Sequence, residues 1–241
     1  VRSEFVLVNA GPNVLARLRG EAYAASREDE GSVFKVNLLC RQLPQLKDGL
    51  GAAAEAFAGT FHLDEGYQAM RTSYQRASAG QLPDRLPADV YCHTLTDGSI
   101  LSEELQQEGF HTLALFGLDM PYSLFERDHD GMKQTVLRRY LDGLSHYLAE
   151  PIGFYLATDR AGNPCVEAKS PVDLERELGL HRGNIFHNAL TFPFASHPAE
   201  VGTWGVETGC DKVYLCGSGA RRGGAVSGIP GHNAAMKVLG N

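Results

Sequence analysis

The sequence predicts an α+β chain, and three observations carry that reading. Apolar and polar residues alternate over several short segments, as half-buried strands require. The segment 128–149 instead repeats its apolar residues at helical spacing. The two kinds of segment follow one another without the regular strand–helix–strand beat of a doubly wound parallel sheet. At 241 residues, the chain is long enough to bury a sizeable core.

In order along the chain, FVLV at 5–8 forms a short buried strand, stopped by Asn9-Ala10-Gly11-Pro12. VLARL then gives the first turns of a helix, and 24–31 is polar and turn-like. SVFKVNLLCRQL, 32–43, sets Val33, Phe34, Val36 and Leu38 on a strand with one buried face. GLGAAAEAFAGT, 49–60, is small and flexible. A helix follows over 64–79, with Leu63, Tyr67, Met70 and Tyr74 on one stripe, read as core. Strands are expected at 88–95 and 110–118, with a polar turn between them.

The clearest helix, 128–149, carries Met132, Val136, Tyr140, Leu144 and Tyr147 on its apolar stripe. GFYLAT and CVEA flank a turn at 159–163, the pattern of a hairpin. Ser170 is placed to cap a helix with Pro171 in its first position and Asp173 in its first turn, and Gly179 ends it. The stretch 181–211 is rich in His, Pro, Phe and Gly and has little periodicity. DKVYLC gives a last strand and NAAMKVL a closing helix.

Composition excludes several classes. Net charge is −7 and no Lys/Arg run exceeds two residues, so no basic face for nucleic acid is expected. No apolar run approaches the roughly 18 to 20 residues that span a bilayer. Five widely spaced cysteines without a CxxC pair predict reduced thiols in a cytoplasmic setting and neither a zinc site nor a disulfide framework. His93, His111 and His197 lack metal-ligand spacing. The start on a strand-like segment, without Met or a signal-peptide core, points to processing or truncation.

Chemistry concentrates near the end, in YLCGSGARRGGAVSGIPGHNAAMKVL. VYLC followed by Gly217-Ser218-Gly219 resembles the opening of a dinucleotide fingerprint, but the third glycine, Gly223, comes one residue late. Three further glycines and a proline over 224–231 predict that no helix starts there. No acidic ribose ligand follows. Two readings stand for the loop. Glycines let backbone N–H groups approach a flat or anionic ligand, and the next helix aims its positive end at the loop. Alternatively, the loop is a mobile surface turn. The pair Arg221-Arg222 fits a solvated turn or a phosphate contact.

LCGSGARRGGAVSGIPGHNAA closely resembles the C-terminal flavin-binding motif of phytoene-desaturase-like FAD-dependent oxidoreductases, in particular the branch described as pyridine nucleotide-disulfide oxidoreductase domain-containing protein 2. FVLVNAGP, FKVNLLCRQLP, TDGSILSEELQQEGFHTLALFG, Asp-Gly-Met-Lys at 130–133 and SPVDLERELGLHRGNIFHNALTF are similar to further blocks of that family, in the same order. The resemblance spans nearly the whole chain. It implies a mixed-sheet substrate domain with helices, at 21–200. It also implies pieces of a Rossmann-like FAD domain: a re-entry strand and helix at 1–20 and a flavin-contacting segment at 201–241.

By the same resemblance, the chain is the C-terminal portion of an enzyme passing hydride from a C–H bond of an apolar or conjugated substrate to flavin. Gly217, Ser218, Gly223, Gly224, Val226, Ser227, Gly228 and His232 would line the FAD, and His187 would be catalytic. Without the family's N-terminal G-x-G-x-x-G, FAD is expected in the intact protein, and the surface toward the absent half is expected to self-associate. In the family, Thr-His-Pro tends to stand where Ala220-Arg221-Arg222 stand here, and glycine where Ala225 stands. The alternative is a truncated, non-catalytic module binding a ligand or partner. Read by residue type alone, His187 is a proton shuttle or a core histidine bonded to a backbone carbonyl, and His232 a flavin contact or a solvated helix residue.

Overall fold

The structure is a computed structural model that describes residues 2–23, 29–188, 190 and 194–240. Residues 24–28 of the polar stretch and four residues of the aperiodic 181–211 stretch lie outside that range. The described elements are, in chain order, β1 (Val6–Val8), α1 (Pro12–Leu18), β2 (Phe34–Cys40), α2 (Ala53–Phe57), β3 (Phe61–Leu63), α3 (Tyr67–Ser78) and β4 (Ala88–Tyr91). There follow α4 (Glu103–Gln107), β5 (His111–Gly117), α5 (His129–Ser145), α6 (Ile152–Tyr155), β6 (Val166–Lys169), α7 (Pro171–Leu178), β7 (Val213–Leu215) and α8 (Ile229–Leu239). The chain is α+β and divides into two compact units: residues 32–173, and residues 1–31 with 174–241.

The unit 32–173 is built on a five-stranded antiparallel sheet in the order β3-β4-β5-β2-β6. Period-two alternation places Phe34, Val36, Leu38 and Cys40 of β2 on the covered face, opposite Gly117, Leu115, Leu113 and His111 of β5. Helix α5 covers that face with Val136, Tyr140 and Leu144, the stripe its sequence spacing predicts. Tyr140 stacks on Phe34 at 5.8 Å, and its hydroxyl donates to the Leu118 carbonyl at 3.2 Å. Its ring occupies the space where a Cβ on Gly117 would sit. Burying such a side chain stabilises by about 2–3 kcal/mol.

Helices α5 and α7 are tied at their starts. Ser170 caps α7: its Oγ accepts from Asp173 N at 3.2 Å, while Asp173 Oδ2 accepts from Ser170 N at 2.8 Å. Lys133 Nζ of α5 meets the same carboxylate at 2.9 Å, and His129 Nε2 stands 3.3 Å from its other oxygen. Burial raises the Asp173 carboxyl, but the Ser170 and Lys133 donors outweigh it and hold the pKa down at about 2.

Several expectations need correction here. The stripe of α3 is turned outward: Tyr67, Met70 and Tyr74 are exposed, and α3 packs through Ser73 and Ala77. Short elements appear where loops are predicted: α2 within 49–60, and α4 between the two central strands, capped by Ser102 Oγ on Leu105 N. The predicted hairpin keeps its turn, where Asp159 accepts from the Ala161 and Asn163 amides, but GFY forms the helical turn α6.

The other unit holds the chain's parallel pairing. β1 and β7 run side by side with Val6 opposite Val213 and Val8 opposite Leu215. Its core is small: Leu15, Val206, Tyr214, Leu215, Ala220 and Ala234. β7 is flanked on its other side by a bridge from Glu207 to Tyr214. Val6 and Leu7 of β1 remain 49% and 51% exposed. Helix α8 begins at Ile229, inside the stretch predicted to exclude a helix start. Gly228 takes φ +75° as its N-cap, and Pro230 falls in the first turn, where a missing N–H costs nothing. Among the described residues no helix is long and apolar enough to cross a membrane.

Candidate functional site

Parallel strands point their carboxyl ends the same way, and ligands of open α/β sheets bind beyond those ends. In the unit of β1 and β7, each strand leaves that end through a turn: Asn9-Ala10-Gly11-Pro12 after β1, and the glycine loop after β7. The turns pack backbone on backbone. A Cβ on Gly217 would run into Asn9 Oδ1. A Cβ on Gly219 would stand 2.9 Å from Pro12 Cδ and 3.1 Å from Gly11 Cα. These two glycines serve close approach between strand exits.

His187 joins this junction. Its backbone takes φ +65°, in a turn where its N–H donates to the Asn184 carbonyl at 3.0 Å. The next residue, Asn188, donates from Nδ2 to the Gly219 carbonyl at 2.6 Å. His187 Nδ1 would lie 2.9 Å from a Cβ on Gly11 and, among the described residues, is buried without a hydrogen-bond partner. The reading of His187 as a core histidine bonded to a backbone carbonyl therefore does not hold at Nδ1. Burial pushes its pKa below the usual imidazole value, which favours the neutral ring. A neutral ring with one uncommitted nitrogen can accept or deliver a proton. His187 also lines a cleft of about 590 Å³ with Asn9, Gly11, Arg17 and Arg176.

Gly223 to Gly228 form a second lobe braced by its own atoms. Ser227 Oγ donates to the carbonyls of Gly223 (2.7 Å) and Gly224 (3.0 Å) and accepts from Ile229 N at 3.3 Å. Gly223 takes φ +81°, and a Cβ there would meet the Ile229 side chain at 2.6 Å. Gly224 is buried with Leu190 beside it, and Ser218 is half-buried. Ala225, at φ +50°, holds a left-handed conformation that glycine adopts freely. Val226 is fully exposed, and Ser227, Gly228, Gly231 and His232 continue an exposed run over the start of α8. The His232 ring stands edge-to-face with Trp204 at 6.2 Å.

The structure thus brings His187 to Gly11 and Gly219, and gathers Val226, Ser227, Gly228 and His232 at the amino end of α8. Arg222 is neither a solvated turn residue nor a free phosphate ligand. It is buried, and its guanidinium donates to the carbonyls of Thr203 (2.7 Å) and Glu200 (2.6 Å). Arg221 is exposed and pairs with Glu200 at 3.0 Å. Asn233 adds a bond to the Trp204 carbonyl at 3.0 Å, so the loop is clamped to 200–204. The sequence raises Arg222 as a candidate phosphate contact but none of Asn9, Gly11 and Asn188 as a site residue. The NAGP turn was the available signal for Asn9 and Gly11.

The unit 32–173 carries a separate groove of about 540 Å³ on the open face of its sheet. Leu39, Ala114, Val166 and Ile100 make it apolar. Asn37 Nδ2 donates to Glu167 Oε2 at 3.0 Å on its wall, and that bond with Lys169 holds the Glu167 carboxyl below its usual range.

No family model matches the chain. An uncharacterized protein of Mycobacterium tuberculosis and one of Mycobacterium bovis are each 49% identical to it over 243 aligned positions, 99% of this chain. Pyridine nucleotide-disulfide oxidoreductase domain-containing protein 2 of Mus musculus is 28% identical over 222 positions, 88% of this chain. The chain spans less than half the length of these relatives, 45% of the mycobacterial proteins and 36% of the mouse protein. The chain is thus distantly similar to pyridine nucleotide-disulfide oxidoreductase domain-containing protein 2 of Mus musculus and of Rattus norvegicus.

Proposed function

We propose that this chain is the C-terminal, flavin-edge and substrate-side portion of an FAD-dependent oxidoreductase of the phytoene-desaturase-like kind, acting on an apolar or conjugated substrate. The observation that supports this most is the junction of two parallel strand exits, where glycine turns pack together and His187 Nδ1 is left unpartnered. The residues fit the edge of a flavin. A Cβ at Gly228 meets nothing within 4 Å, and at Gly231 only the Cys216 carbonyl at 3.6 Å, so a flat ring can approach the backbone there. Pro230 has no N–H and that of Ile229 is taken by Ser227 Oγ, which leaves the Gly231 N–H as the first-turn donor of α8 without a helical partner.

A bound flavin would supply the redox chemistry, acceptance of a hydride from a substrate C–H bond. The chain's own residues orient the ring. Gly223 to Gly228 present backbone N–H groups, Val226 offers a fully exposed apolar side chain, and His232 is exposed in the first turn of α8. His187, half-buried with its Nδ1 enclosed, takes up or returns the proton that accompanies the hydride. Within the unit 32–173, the apolar groove over Leu39, Ala114 and Val166 suits an apolar ligand. A second reading, a non-catalytic binding module, rests on the same groove, which needs no cofactor to hold an apolar ligand.

The purified chain and a full-length mycobacterial relative are each mixed with FAD, desalted and read for flavin absorbance. The expected result is flavin retained by the relative and lost from a Gly228→Val variant of it, at the aligned position. A colourless chain beside a yellow relative confines the activity to the longer protein. A colourless relative overturns the flavin reading and leaves the binding module.

A further inference from the structure

We infer that the groove on the open face of the five-stranded sheet takes an apolar chain ending in a single carboxylate, and that Lys35 meets the acid. Strand register places that lysine. Asn37 of β2 and Glu167 of β6 stand opposite one another and line the groove. One strand repeat away, roughly 7 Å, Lys35 stands opposite Lys169 on the same face. Like charges directly across a strand pair destabilise it. Lys169 is compensated by Glu167, 3.2 Å away. Lys35 has no such counter-charge among the described residues. It is half-buried, with Phe116 of β5 opposite it on its other side. Burial alone lowers its pKa below the usual lysine value, the mark of a cation desolvated without a partner.

The neighbouring charges select the head group. Both Glu167 oxygens are occupied, Oε1 by Lys169 and Oε2 by Asn37 Nδ2 at 3.0 Å. Lys133, whose charge also reaches Glu167, is held by Asp173 at 2.9 Å. Asp89, opposite Phe116 on β4, is engaged by His62 and by the Tyr91 hydroxyl. Lys35, Lys169 and Glu167 together therefore leave one positive charge, which one carboxylate neutralises through a charge-assisted hydrogen bond. Asn37 Nδ2 has a second hydrogen to offer the same acid. Away from this end the groove is lined by Leu39, Ala114, Val166 and Ile100, which suit a tail without charge. The inference rests on the groove being an apolar-ligand site and needs no flavin.

Calorimetric titration of the chain with decanoate and with decanol, below the concentrations at which they aggregate, tests this. Decanoate is expected to bind about tenfold more tightly than decanol. Lys35→Met keeps the apolar stem, removes the charge and abolishes that difference, while Lys35→Arg retains it. Thermal unfolding of Lys35→Met is not lowered, because the change removes a repelled charge. His93→Gln, at a groove residue that stacks on Tyr91, leaves the preference intact. Ile100→Glu, on the exposed lip, weakens both ligands. Equal binding of acid and alcohol overturns the proposal and leaves an apolar groove, as does a preference that survives Lys35→Met or vanishes in His93→Gln. Decyl phosphate binding more tightly than decanoate also overturns it and assigns a doubly charged head. Binding of neither ligand overturns the acid and the apolar reading of the groove together, and leaves the flavin reading to its own absorbance test.

Discussion

In the unit 32–173 the buried side chains are Phe34, Val36, Leu115, Phe125, Tyr140, Leu144 and their neighbours, on a sheet with one helix-covered face. In the unit built on β1 and β7 six buried hydrophobics cluster among the described residues, and the buried set also includes Asn184, Arg222 and Asn233. The first unit is held by packed volume, where each lost atom leaves a hole. The second is held by backbone contact between turns and by polar side chains spent on carbonyls. The difference teaches that a packed core fixes a scaffold, while directional bonds fix the path of a loop whose backbone is not covered by side chains.

The contrast is best broken at its strongest point. Tyr140→Ala removes the ring between Phe34 and Gly117 and should cost about 3–5 kcal/mol in urea unfolding of the unit 32–173. A loss near zero would mean that packing is not what holds this unit. In the other unit, Arg222→Ala leaves the carbonyls of Glu200 and Thr203 without their donor and should cost about 3 kcal/mol. Hydrogen exchange should then quicken around 200–228 while the amides of β2 and β5 keep their protection. Equal quickening in both units would erase the distinction.

Acid sharpens the comparison next. Asp173 has its pKa lowered from 3.8 to about 2, so its stabilisation is fully present above about pH 4 and is lost as pH falls toward 2. That is worth about 2 kcal/mol, and Asp173→Asn should remove this part of the acid slope. His187 works in another window: its lowered pKa means that stability falls as pH drops below the ordinary imidazole range, and His187→Gln should flatten that step. The smallest change is Ala225→Gly. It relieves a left-handed alanine but frees the unfolded chain, for a net gain of about 0.5 kcal/mol by differential scanning calorimetry.

Much of the fold was legible because its signals are local. The spacing of Val136, Tyr140 and Leu144 placed α5, and Ser170-Pro171 placed the start of α7. The alternation of Phe34, Val36 and Leu38 placed β2. What stayed hidden depends on partners distant in sequence. A stripe such as Tyr67-Met70-Tyr74 marks a helix but not the side that faces the core, and here the small residues Ser73 and Ala77 won the contact. Three residues of β3 are too few to alternate. Arg222 was readable as a charge, but its burial is decided by carbonyls at 200 and 203. The candidate site was legible as a glycine pattern, while its second wall, Asn9 to Pro12 with Asn188, is joined to it only by folding.

One aromatic pair gives the two units separate optical signals. Trp204 is the only tryptophan of the chain, and it belongs to the unit of β1 and β7, beside His232. Indole emission excited at the red edge of its absorption therefore reports on the glycine-loop unit and is blind to the five-stranded one. Far-ultraviolet dichroism weighs both. If the two traces part during denaturation, the chain melts in two steps, and the step seen by fluorescence is the loop's own.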